Sequence, residues 1–248
     1  MAAPRLTLAM PSFNQGAYLA AALDSVFAQD LPVEVYVADG GSTDGSVDII
    51  RRHESRLLGW RSRKDAGQAA AINEGIAAGT APYVAWLNSD DLLQPGGLRK
   101  LHEALESAPD APMAYGRVWD LDEASGTRKP VYVRRWSEWW MAQLNIVSQP
   151  GTLVRRAAWE TVGGVDERLH LAMDYDLWWR LYRRFGAPRF VDDFVAVNRV
   201  HGATKTVTQR ASHYREAIDV VRRHYGRVPL KWYLAQPYAV WYRSRVGR

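Results

Sequence analysis

The first half of the chain alternates apolar, strand-like runs with amphipathic stretches, and no other feature restricts its fold as tightly. Arg5–Met10 (RLTLAM) reads as a buried strand, and the segment after it puts Leu19, Leu23, Val26 and Phe27 on one helix face. Val33–Ala38 is a second strand, followed by a helix over Ser42–Arg52 capped by Ser or Thr. Leu57–Arg63 is a weaker third strand ahead of a helix across Ala69–Ala78. Tyr83–Leu87 is the fourth, and Leu98, Leu101 and Leu105 line the helix that follows. Strands and helices taking turns in this way predict an α/β fold, a Rossmann-like, mostly parallel central sheet with helices on both faces.

After about residue 110 the rhythm changes. Ala111–Trp119 and Arg128–Arg134 read as strands joined by the turn-rich Asp122–Thr127, and a Trp-rich segment, Trp136–Met141, comes next. Thr152–Arg155 reads as a short strand, with a helix from Arg156 and another over Asp174–Phe185. Two helices, around Ala211–His224 and Leu230–Arg243, finish the chain. No repeat, low-complexity tract or linker intervenes. The expectation is one mixed domain with halves at 1–110 and 111–206, and a C-terminal helical elaboration over 207–248.

Polar residues gather where the strands end. The first strand leads into Pro11-Ser12-Phe13-Asn14 and the second into Asp39-Gly40-Gly41-Ser42-Thr43-Asp44-Gly45. The third leads to Lys64-Asp65-Ala66-Gly67-Gln68 and the fourth to Asn88-Ser89-Asp90-Asp91. Ligands of open parallel sheets bind outside these carboxyl ends. Each cluster alone reads equally as a loop or a helix cap; four on one rim read as a site. Neither a dinucleotide fingerprint nor a phosphate loop follows the first strand, which continues as PSFNQG. Adjacent carboxylates without a His or Cys partner suit a hard, oxygen-seeking ion such as Mg²⁺ or Mn²⁺, usually held by one or two carboxylates and substrate phosphates. A metal–diphosphate ligand fits, with Asp39 and Asp65 left to accept hydrogen bonds from a base or sugar.

Composition removes several classes. Hydrophobic residues make up 47% of the chain and charged ones 24%, which excludes disordered and fibrous proteins. There is no cysteine, so disulfides and thiolate metal sites are out. Met1-Ala2-Ala3-Pro4 lacks the regions of a signal peptide, and no run approaches the roughly 18 apolar residues of a membrane span. A cytoplasmic chain is expected. The net charge of +5 is concentrated after about residue 128, which reads either as an anionic partner or as solvated surface charge. No nucleic-acid-binding motif accompanies it, so no nucleic-acid partner is expected.

PSFNQGAYLAAALDSVFAQDLPVEVYVADGGSTDGSVDII, KDAGQAAAINEGI and YVAWLNSDDLLQPGGL resemble the N-terminal half of family 2 glycosyltransferases. The resemblance continues through QPGTLVRRAAWETVGGVDERLHLAMDYDLWWRL and VNRVHGATKT, about residues 5 to 206 in all. It implies the GT-A fold and inverting transfer of a sugar from a nucleotide-sugar donor to a carbohydrate or lipid-linked acceptor. Residues 1–110 become the donor half and 111–206 the acceptor-binding and catalytic half. By resemblance Asp39 bonds the nucleotide base, Ser12 and Asp65 share its pocket, and Pro11, Gln68, Asn73 and Asn88 join the donor surface. Asp90 faces ribose and metal, Asp91 binds the metal bridging the diphosphate, and His201 reaches the metal or diphosphate from a late loop. Asn88 stands where the family has an acid, which leaves open whether Asp90 or Asp91 is the main ligand.

Inverting transfer also needs a general base on the acceptor side. The resemblance gives that role to Asp174, at a place where the family has Glu-Asp and this chain has Met173-Asp174; Asp176 is its competitor and reads equally as a helix N-terminal charge. Gly164, Lys205 and Trp136 are candidates for the acceptor or diphosphate. Trp136, Trp139 and Trp140 read as sugar-stacking faces or as core. The last segment, LKWYLAQPYAVWYRSRVGR, reads as a peripheral contact with a bilayer interface or as a helix packed on the domain. Two other functions compete. One is a catalytically silent nucleotide-sugar-binding module, against which Asp174 and both metal carboxylates argue. The other is a nucleotidyltransferase, for which PSFNQGAY lacks a basic triphosphate loop.

Overall fold

The computed structural model describes residues 3–202 and 208–236. Among them nine strands form one sheet. Strands β1 (Leu6–Ser12), β2 (Val33–Asp39), β3 (Gly59–Ser62) and β4 (Tyr83–Trp86) run parallel in the order β3-β2-β1-β4. Beyond β4 the sheet is mixed. Strand β8 (Thr152–Arg155) lies antiparallel between β4 and β6 (Met113–Asp122), and β9 (Arg189–Val200) is parallel to β6. A two-residue strand, β5 (Leu92–Leu93), pairs with β9, and β7 (Arg128–Pro130) pairs with β6.

Period-two alternation divides the strands' side chains between two cores. Leu6, Leu8 and Met10 of β1 face a cluster with α1 (Gly16–Phe27), α2 (Ser46–His53) and α4 (Gly97–Glu106). Ala9 faces the other, with α3 (Gln68–Ala77), α6 (Arg156–Val162), α7 (Met173–Phe185) and α8 (Arg210–Tyr225). A Cβ on Gly75 would come within 2.7 Å of the Ala9 Cβ, so glycine there lets α3 lie directly on β1. At the amino end of the strands, Glu34 accepts from Thr7 Oγ1 at 2.6 Å and from the N–H groups of Thr80 and Ala81 at 2.7 and 2.9 Å. Arg156 joins them, donating to Thr7 Oγ1 and to the carbonyls of Ala81 and Ile76. That end closes on its own hydrogen bonds, and the polar clusters sit at the other.

Several elements differ from the sequence reading. Helix α2 begins at Ser46 rather than Ser42, after Gly45 in a left-handed conformation (φ 90°), because Ser42 and Asp44 are drawn into bonds with neighbouring loops. Strand β9 was not anticipated. Asp192 and Asp193 break its apolar pattern, yet both are exposed and pair with Arg117 and Lys100. Strand β7 stops at Pro130; one more bond follows, from the Val131 N–H to the Val118 carbonyl at 2.9 Å, and the Val131 carbonyl then accepts from the Val133 N–H at 2.8 Å in a tight turn that ends the pairing. The Trp-rich segment forms α5 (Glu138–Gln143), capped by the Ser137 hydroxyl. The final helix is described as α9 (Leu230–Gln236), and the expected stretch from 237 lies outside the described residues. No helix among the described residues is long and apolar enough to cross a membrane.

Candidate active site

Parallel register sets Ser12, Asp39 and Ser62 side by side at the carboxyl ends of β1, β2 and β3. Asp39 is fully buried and closes its own loop. It accepts from the N–H groups of Gly41 and Ser42 at 3.0 and 2.9 Å, and from the hydroxyls of Ser42 and Ser62 at 2.5 and 2.6 Å. Asn14 ties the first loop to the second through Ser42 and Thr43, and Asp44 bonds the N–H of Gly16 at 2.7 Å. The Ser12 hydroxyl is buried without a partner, and beside it Phe13 is 60% exposed. Asp65 is paired with Arg61 at 3.0 Å and also takes the N–H of Gly67.

A ladder of amides runs from there to the fourth strand. Gln68 donates to Asn88 Oδ1 at 2.7 Å, and Asn88 Nδ2 donates to Asp91 at 3.1 Å and to Gln149 at 3.4 Å. Gln149 in turn donates to the Trp86 carbonyl at 2.7 Å. Asp91 is buried, with its other oxygen on the Arg199 N–H at 3.0 Å. Burial, and then the neighbouring Asp90 charge, push the Asp91 carboxyl well above the ordinary range. An acid at 88 would face Asp91 as a like charge; asparagine supplies the donor and acceptor the ladder needs.

Asp90 lies in front. Its single side-chain partner among the described residues is His201, 3.1 Å away, and the His201 ring stacks on Tyr18 with centroids 4.6 Å apart. The Arg199 guanidinium lies 5.4 Å from the centre of the Tyr18 ring. No three His, Cys, Asp or Glu among the described residues form a preformed cation site. A carboxylate and an imidazole from two elements, with Asp91 behind, form the partial donor set that Mn²⁺ or Mg²⁺ completes with water and phosphate oxygens. The residues present fit such an ion.

Asp174 stands in the first turn of α7. Its one side-chain partner among the described residues is Asn145, at 3.2 Å. Desolvation raises its carboxyl to about 6, against the opposing pull of the Tyr175 and Asp174 N–H groups and Asn145. Asp176 has a different environment. Burial opposes its charge, but His224 at 2.8 Å and Arg180 at 2.6 Å outweigh burial and hold it below the usual range; Arg223 adds a third contact. Asn145, on Asp174, lies four positions before Gln149, on Asn88, a span of at most about 14 Å. Stacking of Trp86 on Trp178, centroids 5.6 Å apart, joins the two sides beneath. A cavity of about 340 Å³ opens between residues 66–69 and the loop leading to α7, lined also by Glu167, His170 and Gln209.

Residues 7–163, more than half of the chain, match the model of glycosyl transferase family 2. The chain belongs to that family. It is 23% identical to chondroitin synthase of Escherichia coli over 243 residues, 94% of this chain and 34% of that protein. It spans between 34% and 39% of the length of that synthase and of two further curated glycosyltransferases that it matches. Among solved structures it resembles TarS 1-349 of S. aureus in complex with UDP-GlcNAc (TM-score 0.72, 15% identity, 93% of this chain and 69% of that one). It also resembles the mannosyltransferase PcManGT of Pyrobaculum calidifontis in complex with GDP-Man and Mn²⁺ (TM-score 0.67, 20% identity, 96% and 72%). These likenesses establish the GT-A fold.

Within this family 2 chain, three expected site residues have other duties. Asn73, assigned to the donor, bonds Val165 N–H and C=O at 3.1 and 3.0 Å and Glu167 at 2.9 Å, so it latches α3 to the loop after α6. Gly164 has φ +68°, and a Cβ there would lie 2.5 Å from the Asn73 amide oxygen; it serves that latch. Trp136 packs on Trp179 and Tyr182 of α7 and belongs with the core, while Trp139 is 52% exposed. Lys205 lies outside the described residues. Gln149, Asn145, Arg199 and Tyr18 were missed. Only the polar Asn145 and Gln149 flanking IVS gave a sequence signal.

Replacing Asn88 by Asp removes the donor to Asp91 and adds a like charge. Asn88→Asp is expected to lower stability by about 1–3 kcal/mol, read as a lower midpoint in metal-free thermal denaturation. An unchanged midpoint would show that the amide ladder carries no weight.

Proposed function

We propose that this chain is an inverting glycosyltransferase. It moves a sugar from a UDP-, dTDP- or GDP-linked donor to a hydroxyl of a carbohydrate or lipid-linked acceptor in polysaccharide or glycan synthesis. The observation that carries this reading is a pair of carboxylates each left with one side-chain partner among the described residues: Asp90 beside His201 in the segment after β4, and desolvated Asp174 beside Asn145 in the first turn of α7. A silent binding module has no use for the second.

On the donor side, the loops built around Asp39 offer the buried Ser12 hydroxyl for a polar edge of the base and the exposed Phe13 ring for its face. Asp65 with Arg61, and Gln68 with Asn88, border the ribose and sugar. Asp90 and His201 would hold Mn²⁺ or Mg²⁺, with Asp91 as buried support or further ligand. When bound, the cation supplies neutralisation of charge building on the departing diphosphate.

On the other side, Asp174 accepts the proton of the acceptor hydroxyl. The acceptor oxygen bonds to the anomeric carbon as the carbon–oxygen bond to the diphosphate breaks, and that electron pair leaves with the nucleoside diphosphate. Attack opposite the leaving group inverts the configuration. Burial serves the base directly: a carboxylate near pKa 6 takes a proton more readily than one near ~4 and is still ionised at neutral pH. Asp176, held by the Arg180 and Arg223 guanidinium groups and the His224 ring, is the positioning partner of the pair.

A lipid-linked acceptor would bring the enzyme to the inner face of a membrane. Leu230 and Leu234 of α9 are 69% and 70% exposed, Tyr233 is 46% exposed, and Trp232 is turned into the core with its indole N–H on the Ala142 carbonyl. From residue 220 onward the sequence has seven Arg or Lys and no acid. Exposed apolar side chains in a stretch rich in cations suit an anionic bilayer surface. The rest of the aromatic–basic segment lies outside the described residues.

Three outcomes are expected. Asp174→Asn retains Mn²⁺-dependent UDP binding in calorimetry but loses turnover by roughly 10²–10⁴-fold, and the wild-type kcat/KM profile falls as pH drops through about 6 because the base becomes protonated. Full turnover in that variant would remove Asp174 from the mechanism. Asp90→Asn or His201→Ala weakens UDP binding in the presence of Mn²⁺ at least ~10-fold and leaves the metal-free affinity unchanged; equal losses with and without the ion would contradict the metal assignment. In vesicle co-sedimentation the protein pellets with phosphatidylglycerol-containing but not neutral vesicles, and Leu230→Asp with Leu234→Asp releases it. Equal pelleting by both proteins would reject the surface.

A further inference from the structure

Helix α8 touches the catalytic turn at two places. In front of α7, one oxygen of Glu216 accepts three successive backbone N–H groups, from His170 at 3.1 Å, Leu171 at 2.8 Å and Ala172 at 3.0 Å. Two turns further along α8, Arg223 and His224 bond Asp176, on the buried side of the same helical turn. Asp174 lies between these two grips. The loop bonded by Glu216 also forms one wall of the 340 Å³ cavity beside Gln68. Residues 170–172 and 210–225 both fall beyond the 7–163 stretch that defines the family match.

We propose that Glu216 is a positioning residue for the transfer reaction: by gathering the three N–H groups ahead of α7, it fixes where Asp174 stands and keeps the turn shut to water. This rests on Asp174 being the base. The N–H groups of His170 and Leu171 in the loop, and of Ala172 at the helix start, find no backbone acceptor among the described residues, and no side-chain cap bond forms at Ala172. Left to water, those groups would hydrate the first turn and the carboxyl beside them. A carboxylate delivered from α8 satisfies three of them at once and excludes that water. No other carboxylate reaches this loop among the described residues; Glu167 bonds Asn73, and Asp166 is held by Arg168.

Asn145, from the segment after α5, is the side chain bonded to Asp174 among the described residues; the titratable and charged groups on the elements packed around its turn are Tyr175 on its own helix, Glu216 and the half-buried His213 on α8, His170 in the loop, and Asp176 with Arg180, Arg223 and His224. Loss of the Glu216 carboxylate removes a negative charge and admits water. Both changes favour the ionised form of Asp174, so the acid limb of the activity profile moves down from about 6 toward the ordinary carboxylate range.

The test measures nucleoside diphosphate release from a panel of UDP-, dTDP- and GDP-hexoses with Mn²⁺, water serving as the acceptor hydroxyl, alongside UDP binding by calorimetry. Glu216→Ala is expected to lose up to ~10²-fold in kcat, to keep wild-type UDP affinity, and to shift the acid limb downward. Glu216→Gln retains an acceptor oxygen; it is expected to keep the larger part of kcat, with faster amide exchange at 170–172 and a smaller downward shift. If the Ala variant does not fold, the Gln variant decides by its exchange and its acid limb. An acid limb unmoved in whichever variants fold, or kcat and UDP affinity falling together with the melting midpoint, overturns the proposal. Failure of the underlying reading is separate: it shows as Asp174→Asn releasing diphosphate at the wild-type rate.

Discussion

Carboxylates gathered at one end of a sheet repel each other and resist burial, so each must be given donors, given a cation, or left to change its affinity for a proton. That constraint sorts the acids of this chain. Asp39 receives four hydrogen bonds and becomes loop architecture. Asp65 is neutralised by Arg61, and Asp176 by Arg180, Arg223 and His224. Asp91 is buried on an amide and a backbone N–H, and it protonates more easily as a result. Asp90 and Asp174 are each left with one side-chain partner among the described residues, and the proposed chemistry uses these two.

The sheet keeps those two apart while tying them together. Asp90 sits at the end of the parallel half, where four strands end in loops locked to one another. Asp174 sits on a helix of the mixed half, where β6, β8 and β9 extend the same sheet. The Asn145–Gln149 segment and the Trp86–Trp178 stack span the gap. A displacement needs leaving-group support and a base on opposite faces of one carbon, and a rigid link between the halves fixes the distance between them.

Much of this could be read from the residues. The alternation of strands and helices located the carboxyl rim, and the acids at 39, 65, 90 and 91 fell on it because short loops after parallel strands leave them nowhere else to go. The fate of each acid was not legible. Asp91 bonds Arg199, 108 positions away, and Glu216 bonds a loop more than forty positions earlier; such partners have no local signature. Strand β9 was hidden by two surface acids, and Trp136 looked like a sugar platform because a Trp cluster reads the same in a core. The Asn at 88 became intelligible only once Gln68, Asp91 and Gln149 were seen around it.

Asp174 is the proposed base, and desolvation raises its carboxyl above the ordinary carboxylate range. Titrating the Asp174 side-chain carboxyl by ¹³C NMR, assigned by its absence in Asp174→Asn, measures that property without any substrate. The structure predicts a midpoint near pH 6. A midpoint near the ordinary ~4 would mean that Asp174 is solvated like any surface acid, and the account of the base would fall with it.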